Sequence, residues 1–527
     1  MFKSPYPDVE IPNISIYDYL FTGLSDHELD TIALIDGTTG AETTYRALIA
    51  QIDGVAGALA ARGVDEDTVV ALLCPNAPAF ASVFHGILRA DATVTTINSL
   101  ATEEDIVKQL KDSKATWFIT VSPLLASAKA GAAAVGIADD HLIVLDGAEG
   151  HTNLRDLLAE QAKPPTVTFD PATHIAALPY SSGTTGLPKG VMISHRNLVA
   201  NVEQSRQAIV VGEGDRVLAF LPFFHIYGMT VLLNLAVRQR ATLVTMPKFD
   251  FVEFLRVMQD HKCSNIFIAP PVAVALAKHP LVDQYDLSSV HTVFSGAAPL
   301  DGQLAQAVAD RLGVRVIQGY GMTELSPVSH VIPSDRADLS LSSVGFTLPN
   351  IECRLIDPAT GEDIEVPGEG ESARGELLCR GPNVMLGYLG NEKATSEIMT
   401  EDGYLRTGDI ATVNFEGVVT IVDRLKELIK YKGYQIAPAE LEALLLTHPQ
   451  IADAAVIGVP DDEGQEVPKA FVVLQEGADL DEDGVMAFVA DHVAPYKKVR
   501  RVQFTDAIPK SSSGKILRKD LRATERG

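Results

Sequence analysis

Short runs of consecutive apolar residues, set between helix-patterned stretches, constrain this chain more than any other feature. Val69–Cys74 reads VVALLC, Trp117–Val121 WFITV, Leu142–Leu145 LIVL, Ala241–Met246 ATLVTM, Asn265–Ala269 NIFIA and Val314–Gln318 VRVIQ. A strand apolar at almost every position has to be covered on both faces, the condition of a parallel strand in a sheet flanked by helices. The covering helices are visible between the runs: Tyr45, Leu48, Ile49, Ile52, Val55, Ala56 and Leu59 recur at helical spacing. The pattern predicts layered α/β structure with largely parallel sheets. A chain of 527 residues, 46% of them hydrophobic, has the apolar mass for about three to four domain-sized units.

After Asn350 the pattern changes. Glycine, proline and acidic residues crowd Asp357–Glu371 (DPATGEDIEVPGEGE), which reads as a turn-rich β segment with a hairpin. A further boundary falls near Asp423–Lys426. Beyond it lies a compact unit of about 100 residues, large enough to hold its own core. Its expected strands are Ala454–Val459 and Ala470–Leu474, and its expected helices Pro438–Leu446 and Gly484–His492. The fold class expected is therefore α/β: a large N-terminal domain (1–424) of layered α/β subdomains plus a β subdomain, followed by a small α+β C-terminal domain (425–527).

The formal net charge of −26 repels nucleic acid and anionic membrane. A small polyanion can still bind where positive charge is concentrated. The C-terminal stretch offers such a place with Lys497, Lys498, Arg500 and Arg501, then Lys510, Lys515, Arg518 and Lys519. Cys74, Cys263, Cys353 and Cys379 form no CxxC pair, and their apolar flanks suggest buried, reduced thiols. The N-terminus lacks a secretory pattern, no apolar run reaches membrane-spanning length, and the chain ends Thr-Glu-Arg-Gly rather than in a peroxisomal tripeptide. A cytoplasmic protein with no membrane span, monomeric or homodimeric, is expected.

The string from Ser181 to Gly190, SSGTTGLPKG, follows the apolar run Ile175–Tyr180. Glycines let backbone amides close on an anion, the hydroxyls add donors, and Lys189 adds a point charge. The spacing is not that of a Walker loop. The string resembles the signature of the adenylate-forming superfamily of acyl-CoA synthetases, firefly-type luciferases and peptide-synthetase adenylation domains. The nearest likeness is to the 4-coumarate–CoA ligase and luciferase branch. The resemblance runs from roughly residue 30 to residue 520, with several motifs in the family's order.

That resemblance implies a set of site residues. Ser181, Ser182, Gly183, Thr184, Thr185, Gly186 and Lys189 hold phosphates. The loop Ser295–Leu300 (SGAAPL) contacts adenine through Gly296, Ala297 and Ala298. In Gln318-Gly319-Tyr320-Gly321-Met322-Thr323-Glu324, Tyr320 packs on adenine, Thr323 bonds the α-phosphate, and Glu324 helps hold Mg²⁺, with Thr184 as second metal candidate. Asp409 accepts bonds from the ribose hydroxyls beside Arg424. Leu221–Gly228 (LPFFHIYG) walls the acyl pocket, with His225 near the carboxylate and Tyr227 placed to meet a phenolic group; Val331 is a further pocket residue.

In the C-terminal unit, implied to be mobile, Lys426 falls at the hinge. Lys430 and Gln435 align with residues of the thioester-forming arrangement, and Lys432 and Gly433 with coenzyme A contacts; Lys262 is a further candidate for the coenzyme's phosphates. Lys515, in PKSSSGKILRK, matches the lysine that bridges the substrate carboxylate and the α-phosphate. The implied activity is ATP- and Mg²⁺-dependent conversion of an aryl or hydroxycinnamic acid to an acyl-AMP, then to a coenzyme A thioester. Medium-chain fatty acids, and a carrier protein as acceptor, are the alternatives. Light-producing oxidation and a non-catalytic nucleotide-binding role are further ones, the last opposed by intact Glu324, Asp409 and Lys515.

Overall fold

The computed structural model describes residues 1–181, 188–336, 338–431, 434–461, 466–511 and 514–525. Two large sheets carry the apolar runs. In a nine-stranded sheet, Arg315–Gly321, Thr292–Ser295, Asn265–Ile268, Arg216–Ala219, Thr242–Thr245 and Ile32–Asp36 lie parallel in that order, with short antiparallel strands at both edges. In an eight-stranded sheet, Ile175–Ala177, Thr93–Thr96, Val69–Leu73, Trp117–Thr120 and Leu142–Val144 are parallel. The strands match the apolar runs to within a few residues at their ends, the range over which strand boundaries drift.

The helix expected from residue 45 spans Tyr45–Ala60, and Thr44 caps it by accepting from the Ala47 amide at 3.2 Å. Its apolar stripe of Tyr45, Leu48, Ile52, Val55, Ala56 and Leu59 is buried. A third sheet, antiparallel, joins Phe2–Lys3, Glu352–Ile356, Gly375–Arg380, Leu405–Val413 and Val419–Arg424. The hairpin expected in the glycine-rich segment is Asp363–Ile364 folding back on Glu352–Ile356. One continuous hydrophobic core runs through all three sheets. The four cysteines are buried free thiols, and Cys353 and Cys379 sit opposite each other on paired strands with sulfurs 3.6 Å apart. Among the described residues no helix is long and apolar enough to cross a membrane.

Residues beyond 428 build cores of their own. The strand Ile451–Pro460 pairs with Glu466–Leu474, which pairs with Arg501–Phe504. Side chains alternate across a strand. Ala454 and Val456 therefore face the helices Pro438–Thr447 and Glu482–His492, while Ala455, Ile457 and Val459 face Ile508 and the helix Arg518–Thr524. Pinned between these layers, the Glu442 carboxylate accepts both Nη2 bonds of Arg518, at 2.8 and 2.6 Å, and the Val456 amide at 2.8 Å.

Removing one partner of such a buried pair strands the other charge. Glu442→Ala should destabilise this unit by about 3–5 kcal/mol. Hydrogen exchange of the amides of strands 451–460 and 466–474 measures it; protection lowered by less than about ten-fold would show the pair to be dispensable.

Candidate active site

Both large sheets present the carboxyl ends of their parallel strands to one cleft, where open α/β sheets bind ligands. Asn76, just beyond the strand Val69–Leu73, joins the two edges. Its amide donates to the carbonyls of Ala219 at 3.0 Å and Leu221 at 2.8 Å and accepts from the Phe223 amide at 2.8 Å. Thr96, ending another strand of the same sheet, donates to the Phe224 carbonyl at 2.7 Å. These bonds fix the loop that carries His225 and Tyr227. At Gly228 a Cβ would lie 2.1 Å from the Pro222 carbonyl oxygen, so the turn into the following helix admits only glycine.

His225 is enclosed. Burial first, and then the neighbouring Lys515, push its imidazole down to about 4, so it is neutral at physiological pH. Its Nδ1 accepts the Tyr227 amide at 3.3 Å, leaving Nε2 as the protonated donor. The Tyr227 ring lies against Gly296, where a Cβ would come within 3.0 Å, and 6.3 Å from Phe294. Its hydroxyl is buried and has no partner among the described residues.

Across the cleft, the strand Arg315–Gly321 delivers Tyr320. The Tyr320 hydroxyl donates to Asp409 Oδ2 at 2.6 Å, and Arg424 Nε reaches Asp409 Oδ1 at 2.9 Å. Asp409 and Arg424 face each other on paired strands, so the ion pair is built into the sheet register. Burial, and then Asp409, hold the Tyr320 phenol well above its ordinary range. Lys515 enters from the C-terminal unit on a tight turn: the Ser511 amide donates to the Lys515 carbonyl at 2.8 Å, and Gly514 turns with φ +81°. Burial, reinforced by Arg424 and opposed by Asp409, lowers the Lys515 ammonium to about 8.

A second group lies at the hairpin end of the cleft. Ser181 and Lys189 pair across the strands Tyr180–Ser181 and Lys189–Ser194. Lys189 Nζ sits 4.7 Å above the Tyr388 ring, and the Tyr388 hydroxyl donates to Glu324 Oε1 at 2.7 Å. Glu324 itself is only 5% exposed.

The sequence model for "AMP-binding enzyme" matches residues 23–389, and that for "AMP-binding enzyme C-terminal domain" matches residues 440–515. The chain belongs to the AMP-binding enzyme family. Among its relatives, 4-coumarate–CoA ligase 5 of Oryza sativa subsp. japonica is 41% identical, over 99% of this chain and 97% of that one. Probable 4-coumarate–CoA ligase 1 of Dictyostelium discoideum is 39% identical over 99% and 97%. The fold is shared with ATP-bound MatB from Rhodopseudomonas palustris (TM-score 0.88, 28% identity, 98% of this chain and 99% of that one). It is also shared with the anthranilate CoA ligase AuaEII in complex with anthranoyl-AMP (TM-score 0.89, 25% identity, 98% of each).

In this AMP-binding enzyme the expected site residues fall into distinct places. Tyr320, Asp409, Arg424, His225, Tyr227, Gly296 and Lys515 come together, with Ala297 and Ala298 on the loop after Gly296 and Gly319, Gly321 and Thr323 flanking Tyr320. Gln318 serves that loop rather than facing the cleft. Its side chain donates to the Leu300 carbonyl at 2.9 Å and accepts the Leu300 amide at 3.0 Å, and it also bonds the Leu341 carbonyl. Val331 is fully buried in a strand opposite Gly319. Lys262, with φ +49°, precedes the strand Asn265–Ile268 and so stands at the opposite sheet edge from the cleft. Lys430 and Gln435 are exposed and face each other on the paired strands Ile429–Tyr431 and Tyr434–Ile436, whereas Lys515 is half-buried, and Lys426 is exposed on the turn before them. Ser182, Gly183, Thr184, Thr185, Gly186, Lys432 and Gly433 lie outside the described residues.

Asn76 and Tyr388 escaped sequence reasoning. A lone Asn after a strand carries no signal, whereas Gly387-Tyr388-Leu389-Gly390 after the Gly381-Pro382-Asn383 turn is a readable clue. Tyr388→Phe keeps the ring beneath Lys189 and removes only the bond to Glu324. On the expectation that Glu324 helps hold Mg²⁺, it should raise the Mg²⁺ concentration for half-maximal activity about ten-fold; an unchanged Mg²⁺ titration would make Tyr388 a packing residue alone.

Proposed function

We infer that this chain is an AMP-forming carboxylate–CoA ligase of the 4-coumarate type. The observation that carries the reading is the convergence of the half-buried Lys515 with Arg424, Asp409 and His225 in a chain related over 99% of its length to 4-coumarate–CoA ligases. Two half-buried cations side by side make a receptor for anions.

In the first step a carboxylate oxygen attacks the α-phosphorus of ATP, the bond to the β-phosphate oxygen breaks, and pyrophosphate leaves. Two anions repel each other, and Lys515 offsets that repulsion and stabilises the charge developing at phosphorus. His225, neutral with Nε2–H, donates to the carboxylate and orients it. Tyr320 supports adenine, while Asp409 and Arg424 take the ribose hydroxyls; each carboxylate oxygen bound in the structure keeps a further lone pair for them. Thr323 takes the α-phosphate, and the Ser181–Lys189 hairpin the outer phosphates. Among the described residues no three His, Cys, Asp or Glu side chains cluster to cage a metal. One buried carboxylate, Glu324, suits Mg²⁺, which binds mainly through phosphate oxygens and water; Thr184, the second candidate, lies outside the described residues. When bound, Mg²⁺ would neutralise triphosphate charge.

In the second step the sulfur of coenzyme A attacks the acyl carbon, the bond to the AMP oxygen breaks, and the thiol proton passes to solvent. Residues 425–527 act as the mobile unit, turning about Lys426 so that Lys515 leaves and the paired strands bearing Lys430 and Gln435 approach; Lys432 and Gly433 are candidates from the sequence alone. Support comes from Lys515 being half-buried beside Arg424 and Asp409 while Lys430 and Gln435 remain in solvent. The unpartnered Tyr227 hydroxyl favours a phenolic acid, since an alkyl chain would leave it unbonded at a cost of about 1–3 kcal/mol.

Pyrophosphate release across a panel of 4-coumarate, benzoate and octanoate tests the reading, with 4-coumarate expected to be turned over best; octanoate ahead of it would make this a fatty-acid enzyme. Lys515→Ala should slow adenylation by at least about 100-fold while sparing thioester formation from supplied acyl-AMP, and equal losses would refute the alternation. Because Lys515 has to be protonated, kcat/KM for adenylation should fall as pH rises through about 8. A flat profile to pH ~10 would remove that requirement.

A further inference from the structure

The helix Pro270–Lys278 of the large unit meets the C-terminal unit at both of its ends. At its start it receives the turn that carries Lys515: a Cβ on Gly514 would lie 3.0 Å from the Ala269 Cβ and 3.5 Å from Pro271. At its other end Lys278 Nζ donates to the carbonyl of Leu446 at 2.8 Å and to that of Ile451 at 3.3 Å. Leu446 lies in the last turn of the helix Pro438–Thr447, where carbonyls lack partners within the helix and the helix dipole attracts a cation. That last turn has no basic residue of its own. The cation comes instead from a residue 168 positions earlier in the chain.

We propose that Lys278 is a positioning residue for the adenylation step, capping the helix Pro438–Thr447 across the two units and so holding Lys515 in the cleft. This inference rests on the two-step reading above. Lys278 belongs to the large unit and its acceptors to the small one, so a rotation about residues 425–428 breaks both hydrogen bonds. The contact stabilises one arrangement and contributes nothing to the other. Its effect is a shift in the population of the adenylating state, not a change in the chemistry at phosphorus. A charged group at a partly buried helix end shifts such an equilibrium by about ten-fold.

The test uses the full chain with Lys278→Met and Lys278→Arg, alongside wild type and Lys515→Ala. Adenylation is read as pyrophosphate–ATP exchange with 4-coumarate, and the second step as thioester formation from supplied 4-coumaroyl-AMP and coenzyme A. Lys278→Met should lower the exchange kcat about ten-fold, with KM values for ATP and acid little changed and thioester formation equal to or faster than wild type. Lys278→Arg, which still donates to carbonyls, should recover most of the exchange. Parallel loss of both steps in Lys278→Met, or no loss in either, overturns the proposal, as does failure of Lys278→Arg to rescue. If Lys515→Ala separates the steps and Lys278→Met does not, only the latch fails. If Lys515→Ala does not separate them, the two-step reading falls and the latch with it.

Discussion

Taking a lysine ammonium out of water is strongly unfavourable unless an opposite charge replaces the solvent. Lys515 is held where burial and Arg424 both oppose its charge and Asp409 favours it. The same ammonium helps keep His225 neutral, which leaves that imidazole as a hydrogen-bond donor rather than a third cation. Anions bound between these groups relieve the strain on each of them. The cleft is therefore suited to a reaction in which negative charge accumulates.

Placing those groups requires three sheets to agree. His225 and Tyr227 hang on a loop after one parallel sheet, and that loop is tied down by Asn76 and Thr96 from the other. Asp409 and Arg424 come from the antiparallel sheet, where cross-strand register sets them opposite each other. Tyr320 bridges from the end of a parallel strand to Asp409. Most of these groups sit at or near the end of an element, whereas Asp409 lies mid-strand in Leu405–Val413, just after Gly408 with φ +68°. The C-terminal unit adds the last group from outside, docked along the helix Pro270–Lys278.

Much of this was legible beforehand, for physical reasons that differ from place to place. The parallel strands declared themselves because burial on both faces demands unbroken apolar runs, and the helix from Tyr45 because one buried face demands its spacing. Asp409, Tyr320 and Lys515 were reached through contiguous strings whose neighbours carry the same resemblance. Single residues that act across long separations were silent. Asn76 meets Leu221 across 145 positions, Tyr388 meets Glu324 across 64, and Lys278 meets Leu446 across 168. Gln318 illustrates the converse: its place in a site string is plain, yet its amide is spent on holding Leu300.

What the residue order determined by itself was local: which segments are strands or helices, where glycines and hydroxyls gather, and which motifs follow one another. These depend on side-chain periodicity and backbone freedom over a few neighbouring residues. Which lysine of the small unit lies beside Asp409 and which stands in solvent was decided only in three dimensions. Lys515 and Lys430 carry the same side chain and both sit in basic stretches. The difference between them comes from how one folded unit docks on another, through contacts between residues hundreds of positions apart that no local pattern encodes.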